Sequence, residues 1–429
     1  MTQRLNANIS NSLFQFVKEL YPLCRSITGN GTRETLTRIM NKIPLDIKEI
    51  PTGSKVFDWE IPKEWNIKDA YVKNSDGKRI IDFKKSNLHV MSYSAPINRK
   101  MSLTELQDHL HTLPNLPDWT PYKTSYYKED WGFCLTHNNY LNLKEDLYEV
   151  VIDSKLTKGY LTYGEYFKKG KRDEEVLIST HICHPSMCND NLSGISVATF
   201  LAQYLENLDT NLSYRILFIP ATIGAITWLA LNQDKYERIK YGLVIALLGD
   251  DGIFHYKKSK EGSTKTDKIM EYILKSSRHD HKILDFQPYG YDERQFCSPG
   301  INLPVGRLTR SPNQHYKEYH TSADDLNFIS EQKLFESLDL LSDFIRTVDS
   351  NQKYLNLYPN CEPQLGKRGI YNSVAGKIKE IELAMLWILN CSDGNDDLVD
   401  IGLKSGIKLS TLLNATEKLL EHKIIKHQN

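Results

Sequence analysis

The sequence predicts an α/β protein whose mostly parallel sheet is flanked by helices, with a small all-β domain inserted near its start and a winged-helix-like unit at its end. Three observations predict it. Between residues 147 and 350, strand-length apolar runs alternate with helix-length segments, as they do in sheets joined by crossover helices. Between 48 and 141 the texture changes to short β-type runs broken by turn residues. After residue 363, three helical segments lead into one short strand, the outline of a winged helix. The predicted division is therefore 1–47 with 142–355 for the α/β domain, 48–141 for the insertion and 363–429 for the last unit.

Each element has a local reason. Leu13, Phe14, Phe16, Val17 and Leu20 form the apolar stripe of a first helix over 9–21. Gly29-Asn30-Gly31 reads as a turn, and Thr32 as the cap of a second helix over 33–43. No lysine follows those glycines, which argues against a phosphate loop. The insertion shows β-type runs at 55–59, 70–72, 79–83 and 88–91, and Asn74-Ser75-Asp76-Gly77 is a hairpin signal. Trp59, Trp65, Trp119 and Trp131 all fall in it, as an aromatic core or a ligand-binding rim. The α/β part offers strands over 147–152, 176–179, 214–219 and 242–248, and helices over 195–205, 223–231, 266–277 and 331–348. A polar linker over 351–369 leads to helices over 380–389, 398–404 and 409–422 and a closing strand at 423–426.

Composition narrows the function. Lys+Arg and Asp+Glu are both 54, so no overall field draws the chain to nucleic acid or to an anionic membrane. The last unit, from Glu380 on, carries 5 lysines against 8 acidic residues, and its would-be recognition helix has one lysine and two glutamates. That argues for a homo-oligomer or protein contact there and against DNA. Seven scattered cysteines make no disulfide framework, and no signal-peptide layout opens the chain. No apolar run nears the roughly 18 residues of a membrane span. The expected location is the cytoplasm.

The chemistry collects at strand ends. The run Val176-Leu177-Ile178 reads as a buried strand, and His181, Cys183, His184, Cys188 and Asp190 follow it before a helix opens at Asn191-Leu192-Ser193-Gly194. In open α/β sheets the ligand site lies beyond the carboxyl ends of the strands. Asp250 and Asp251 stand after the fourth strand, Asp292 and Glu293 in GYDERQF, and His320 with Asp324 and Asp325 in EYHTSADDLNFI. Histidines and carboxylates without a thiolate cluster suit a catalytic zinc, or a pair of divalent ions. Strand-end register favours His181 as ligand, with His184 in its place or beside it. Asp324 and Asp325 read as caps of the following helix. Arg294, Arg25 and Tyr319 are candidates for holding an anionic end of a substrate.

VLISTH followed by NDNLSG resembles the core of the zinc aminopeptidases and carboxypeptidases of the di-zinc exopeptidase clan. The resemblance implies His181 as a ligand of one zinc, Asp190 as the bridge, Asp250 completing the first site and His320 serving the second. Over the whole chain, FDWEIPKEW, SNLHV, SYYKEDWGFC, CHPSMCNDNLSG, DERQFCSPG and YHTSADDLNFI look like a bacterial group of aminopeptidase-like proteins linked to polysaccharide biosynthesis. Two departures stand out. Where the peptidases carry a pair of glutamates, one of them the general base, this chain has Ala221-Thr222. Where they carry an aspartate orienting the first histidine, it has Cys183. Glu293, Asp292 and Asp251 are the carboxylates left to move a proton. The implied activity is zinc-dependent hydrolysis of an amide bond in a small aminoacyl, short peptide or N-acyl sugar substrate. The alternative is a catalytically impaired metal- or sugar-binding adaptor.

Overall fold

The computed structural model describes residues 9–370 and 378–428; residues 1–8 of the expected first domain, and 371–377 and 429 of the expected last one, lie outside them. The chain forms two compact units. One comprises residues up to 262 together with 282–339, the other 263–281 together with 340–429.

The first unit is built on an eight-stranded sheet in the order Leu45–Pro51, Tyr160–Lys168, Ser213–Ile219, Glu175–His181, Ile239–Ile245, Val305–Thr309, Phe254–Lys257, His281–Leu284. The four central strands, from Ser213–Ile219 to Val305–Thr309, are parallel. Antiparallel partners border them on both sides. Parallel strands are covered on both faces and carry continuous apolar runs. Accordingly, every residue of Glu175–His181, Ser213–Ile219 and Val305–Thr309 is buried. The arginine of Ser213–Ile219 is paired: Arg215 donates to Glu175 from Nε at 2.8 Å, and its other neighbour is Glu165. Helices Gly194–Glu206 and Ile223–Leu231 follow Glu175–His181 and Ser213–Ile219, both nearly all apolar because they too are enclosed.

The second helix runs over Asn30–Met40 and begins three residues before the expected start. Its cap is Gly29 at φ 93°, where a Cβ would meet the Trp65 carbonyl at 2.0 Å, and Thr32 lies inside it, donating to the Ser26 carbonyl.

The strand expected over 147–152 in the central sheet belongs elsewhere. Leu147–Thr157 is the second-from-edge strand of a four-stranded antiparallel sheet, between Glu64–Lys73 and Ile97–Ser102, with Arg79–Asp82 on the far side. Its burial alternates along the chain, as in a strand with one face on a core and the other in water. The insertion therefore runs on past the expected end at 141. Residues 48–51, in turn, pair in the central sheet. Ala70, Val72, Phe133, Val150 and Ile152 are among its buried core.

In the second unit, helices Glu380–Cys391, Leu398–Ser405 and Leu409–Glu421 pack on a three-stranded sheet in the order Asp393–Asp397, Lys353–Asn356, Ile425–His427. Two of these strands went unseen in the sequence: Lys353–Asn356 lies in the expected linker, and DGNDD has no apolar alternation. Helix Lys265–Ser276, expected in the α/β domain, belongs to this unit. Tyr272 Oη donates to the Ile407 carbonyl at 2.7 Å, and Lys268 pairs with Asp400.

Candidate metal centre

The strand Glu175–His181 ends with His181 buried against the sheet, and the chain then turns through His184 to the tight segment Cys188–Ser193. That segment is tied down residue by residue. Asn189 Nδ2 donates to Asp250 at 2.7 Å and its Oδ1 accepts from Gly249 N. Asn191 Nδ2 donates to Thr180 and to the His181 carbonyl, while its Oδ1 accepts from Gly194 N and Leu247 N. Ser193 Oγ donates to the Asn189 carbonyl and accepts from Leu248 N. A Cβ on Gly194 would stand 2.4 Å from Asn191 Oδ1, so only glycine fits between the helix start and the strand. The asparagines and the serine of NDNLSG are thus taken up by backbone groups and by Asp250 and Thr180, and Asp190 turns toward the histidines.

Around Asp190 stand three imidazoles. One ligand atom each from His181, His184 and Asp190 lies within 4.8 Å of the others. His181 Nε2 is 2.8 Å from Asp190 Oδ1, and His320 Nε2 is 3.0 Å from Asp190 Oδ2. Asp190 Oδ2 and His320 Nε2 face each other as an ion pair but have no hydrogen-bond partner, and neither has the buried His181 Nδ1. Burial pushes the Asp190 carboxyl up, but His184, His181 and His320 outweigh it and hold it well below the usual range. Burial drives His184 well below the ordinary imidazole value, against the pull of Asp190. A neutral His184 imidazole and an ionised Asp190 carboxylate are protonation states that suit a metal. Two donors on a tetrahedral zinc, each about 2.0–2.1 Å from it, stand about 3.3 Å apart. The His320–Asp190 spacing and the two orphaned atoms fit that edge.

Aromatic rings wall the cluster. Tyr291 stacks on His181 at 4.8 Å between centroids and donates from Oη to Asp190 Oδ1 at 3.2 Å. Tyr319 stacks on His320 at 4.0 Å. Tyr122, from the aromatic-rich stretch of the insertion, lies 5.1 Å from His184 and 5.2 Å from His320, and its N donates to the His320 carbonyl. His320 itself sits in the left-handed region at φ 56°. The insertion's aromatics are therefore both core and rim.

The other expected residues divide. Asp250 is not part of the cluster. Its Oδ1 accepts from Ser311 Oγ at 2.7 Å and Gly252 N at 2.6 Å, and its Oδ2 from Asn189. These bonds tie the Asn189 segment to the loop at Gly252 and to Ser311. Asp251 is exposed and outside the cluster. Glu293 is fully buried but neutralised by Lys257 Nζ at 2.5 Å and Arg307 at 3.4 Å. Asp292 is different: it is 1% exposed, its Oδ1 has no partner, and burial, aided by Glu293 and opposed by Arg294, pushes its carboxyl up to about 8. Its charge also helps to raise the Cys183 thiol.

Arg25 does not face a substrate. It is fully buried, and its Nε and Nη2 donate to the His184 carbonyl at 3.0 and 2.7 Å and its Nη1 to the Leu20 carbonyl. Tyr319 is taken up by His320, whereas Arg294 has an unpaired Nε. Asp324 caps no helix. Its two carboxylate oxygens accept from Asn189 N at 2.6 Å and Asp190 N at 2.9 Å, which presents Asp190. Tyr122, Tyr291 and Asn189 escaped the sequence reading because a phenol or amide carries no metal signature. Only the tyrosine density of PYKTSYY and GYDER hinted at the two tyrosines.

Fold and site together define an aminopeptidase-like protein. A zinc aminopeptidase from Bacillus subtilis superposes with a TM-score of 0.58 at 13% identity, covering 81% of this chain and 96% of that one. The chain belongs to the family described as "Domain of unknown function (DUF4910)", matched over residues 14–351, followed by a winged helix-turn-helix over 352–427. It is 51% identical, over 99% of both chains, to a Clostridium acetobutylicum protein described as a polysaccharide biosynthesis protein with an aminopeptidase-like domain. A crystal structure of a peptidase so described from Clostridium acetobutylicum matches with a TM-score of 0.94 at 50% identity, covering 98% and 97% of the two chains. Among the described residues no helix is long and apolar enough to cross a membrane.

Proposed function

We propose that this chain is a metal-dependent hydrolase that cleaves an amide bond in a small aminoacyl or N-acyl sugar substrate, within polysaccharide biosynthesis as its Clostridium relative's description suggests. The observation that carries the reading is the set of buried, unpartnered donor atoms around Asp190. His181, His184, Asp190 and His320 would hold the ion. Zinc in such a donor set polarises a carbonyl and lowers the pKa of a bound water.

Asp292 takes the proton-carrying role that Ala221 and Thr222 cannot fill. A carboxyl titrating near neutrality is suited to give and take a proton there. Glu293 keeps its charge balanced by Lys257 and Arg307. Arg294, with its free Nε, is the donor for an anionic or carbonyl group on the substrate. All seven cysteines are free, which supports a reducing cytoplasmic setting.

A second reading, a metal-binding adaptor without turnover, draws on Ala221 and Thr222 at the end of Ser213–Ile219. Elemental analysis of the purified chain tests both. At least one zinc per chain is expected, and less than about 0.3 after zinc addition removes both readings. With metal present, turnover of a panel of aminoacyl and N-acyl sugar amides, lost in Asp190→Ala, supports the hydrolase; no turnover by the metal-loaded chain leaves the adaptor.

A further inference from the structure

One cavity of the first unit is not used by the metal cluster. It measures about 320 Å³, the lower end of the range for small-ligand sites. Its floor is aliphatic, from Ile226 and Leu229 on helix Ile223–Leu231 and from Ile301. Its lip is a hairpin, Lys55–Val56 paired with Trp59–Glu60, whose two-residue turn is Phe57-Asp58. Phe57 sits in the left-handed region at φ 54° and is 53% exposed, although a bulky residue is rarely placed either way. Trp59 is 38% exposed and packs edge-on against Tyr127 at 5.2 Å. Gln233, Gln295 and Ser298 supply amide and hydroxyl groups to the wall.

The lining holds no lysine, arginine or histidine and a single carboxylate, Asp58. An anionic ligand would find no countercharge. A wholly apolar ligand would make no use of Gln295 and Ser298 in the wall; Gln233 already donates to the Ala230 carbonyl at 3.2 Å and has its oxygen left to accept. What matches is a neutral molecule with a flat C–H face for Trp59, an edge of hydroxyls for the glutamines and Ser298, and a small apolar branch for the aliphatic floor. Gln295 of the cavity wall lies on the short helix Glu293–Phe296, which begins directly after Asp292.

We infer that this cavity is a sugar subsite that binds a neutral N-acylated aminosugar, its ring against Trp59 and its acyl methyl toward Leu229 and Ile301. As the substrate class of the proposed hydrolysis, the inference rests on that reading; as a binding event, it needs neither metal nor turnover.

The test uses the full chain stripped of metal with EDTA and N-acetylglucosamine as probe, followed by saturation-transfer NMR and titration calorimetry. Binding at roughly 1–10 mM is expected, with the strongest transfer to the acetyl methyl, and with glucosamine bound at least about fivefold more weakly. Trp59→Ala should weaken binding about tenfold or more. Gly300→Trp should do the same by filling the cavity: Gly300 has no positive φ, and a Cβ there meets nothing within 4 Å, so the chain keeps its fold and its circular dichroism. Absence of saturation transfer, equal binding of glucosamine, or unchanged affinity in Gly300→Trp overturns the inference. Binding of phenylalanine amide in place of the sugar also overturns it and assigns the cavity to an apolar amino-acid side chain. Sugar binding without turnover by the zinc-loaded chain counts against the hydrolase alone. Turnover of aminoacyl amides without sugar binding counts against the subsite alone.

Discussion

Replacing Asp292 with asparagine should make the protein more stable and less active, and should do the first in a pH-dependent way. The Asp292 carboxyl stands at about 8 against an ordinary 3.8, because burial, helped by Glu293, outweighs Arg294. A raised carboxyl keeps its proton in the native state while the unfolded chain loses it. Native stability therefore falls as pH rises from about 4 to about 8 and levels off above that. A gap of about four pKa units at 1.36 kcal/mol each gives on the order of 5 kcal/mol. Asparagine has the same shape and no charge to desolvate, so Asp292→Asn should match the wild type at pH 4 and exceed it by that order at pH 9. Spread over a unit of about 320 residues, 5 kcal/mol is about 7 °C in Tm. Melting curves at pH 5, 7 and 9 measure it. In parallel, turnover should drop by about 10²–10⁴ if Asp292 carries the proton, and the rise in wild-type rate toward pH 8 should vanish. A Tm difference that does not change between pH 5 and 9 would refute the electrostatic argument. A stabilised variant with full turnover would refute the catalytic one.

Three further outcomes follow from the same geometry. Arg25→Lys removes the forked grip on the His184 carbonyl and should cost about 2–3 kcal/mol in urea unfolding and weaken zinc binding; an unchanged midpoint and zinc affinity would show that the fork is dispensable. Asp324→Asn keeps one acceptor oxygen for two N–H donors and should lower zinc affinity by about 10–100-fold, measured by competition with a chelator, without changing the sheet. For the winged helix, gel-shift assays with duplex DNA at low salt should show no retention, because Leu409–Glu421 offers Lys418 alone against Glu417 and Glu421. A salt-sensitive complex would contradict the charge argument.

What the sequence made legible follows from periodicity and from local chemistry. The run Val176-Leu177-Ile178 could only be a buried strand, and His181 and Asp190 follow from where it ends. Leu147–Thr157 was misplaced because a strand's partner is decided by long-range pairing, and its first six residues look alike in either sheet. Asp250 looked like a ligand because a carboxylate at a strand end has the right type and place. Whether it meets a metal depends on Ser311, Gly252 and Asn189, and the sequence does not reveal that they use up both its oxygens. Arg25 and Asp324 were misread for the same reason: their partners are backbone groups, which every residue possesses.

The two departures from the peptidase pattern are one structural change. Cys183 Sγ lies 3.3 Å from Ala221 N and 3.7 Å from the Ala221 carbonyl, so the residue that replaces the orienting aspartate touches the residue that replaces a glutamate. Burial keeps that thiol protonated, raised far above its ordinary value. A neutral thiol against a backbone amide needs no countercharge, whereas two carboxylates in the same space would need a cation between them. Asp292 stays protonated near neutrality through its own burial and the neighbouring Glu293, against Arg294. In the proposed mechanism the missing glutamates at Ala221 and Thr222 and the raised carboxyl at Asp292 belong together: the titrating group would sit at the cap of Glu293–Phe296 in place of the end of Ser213–Ile219.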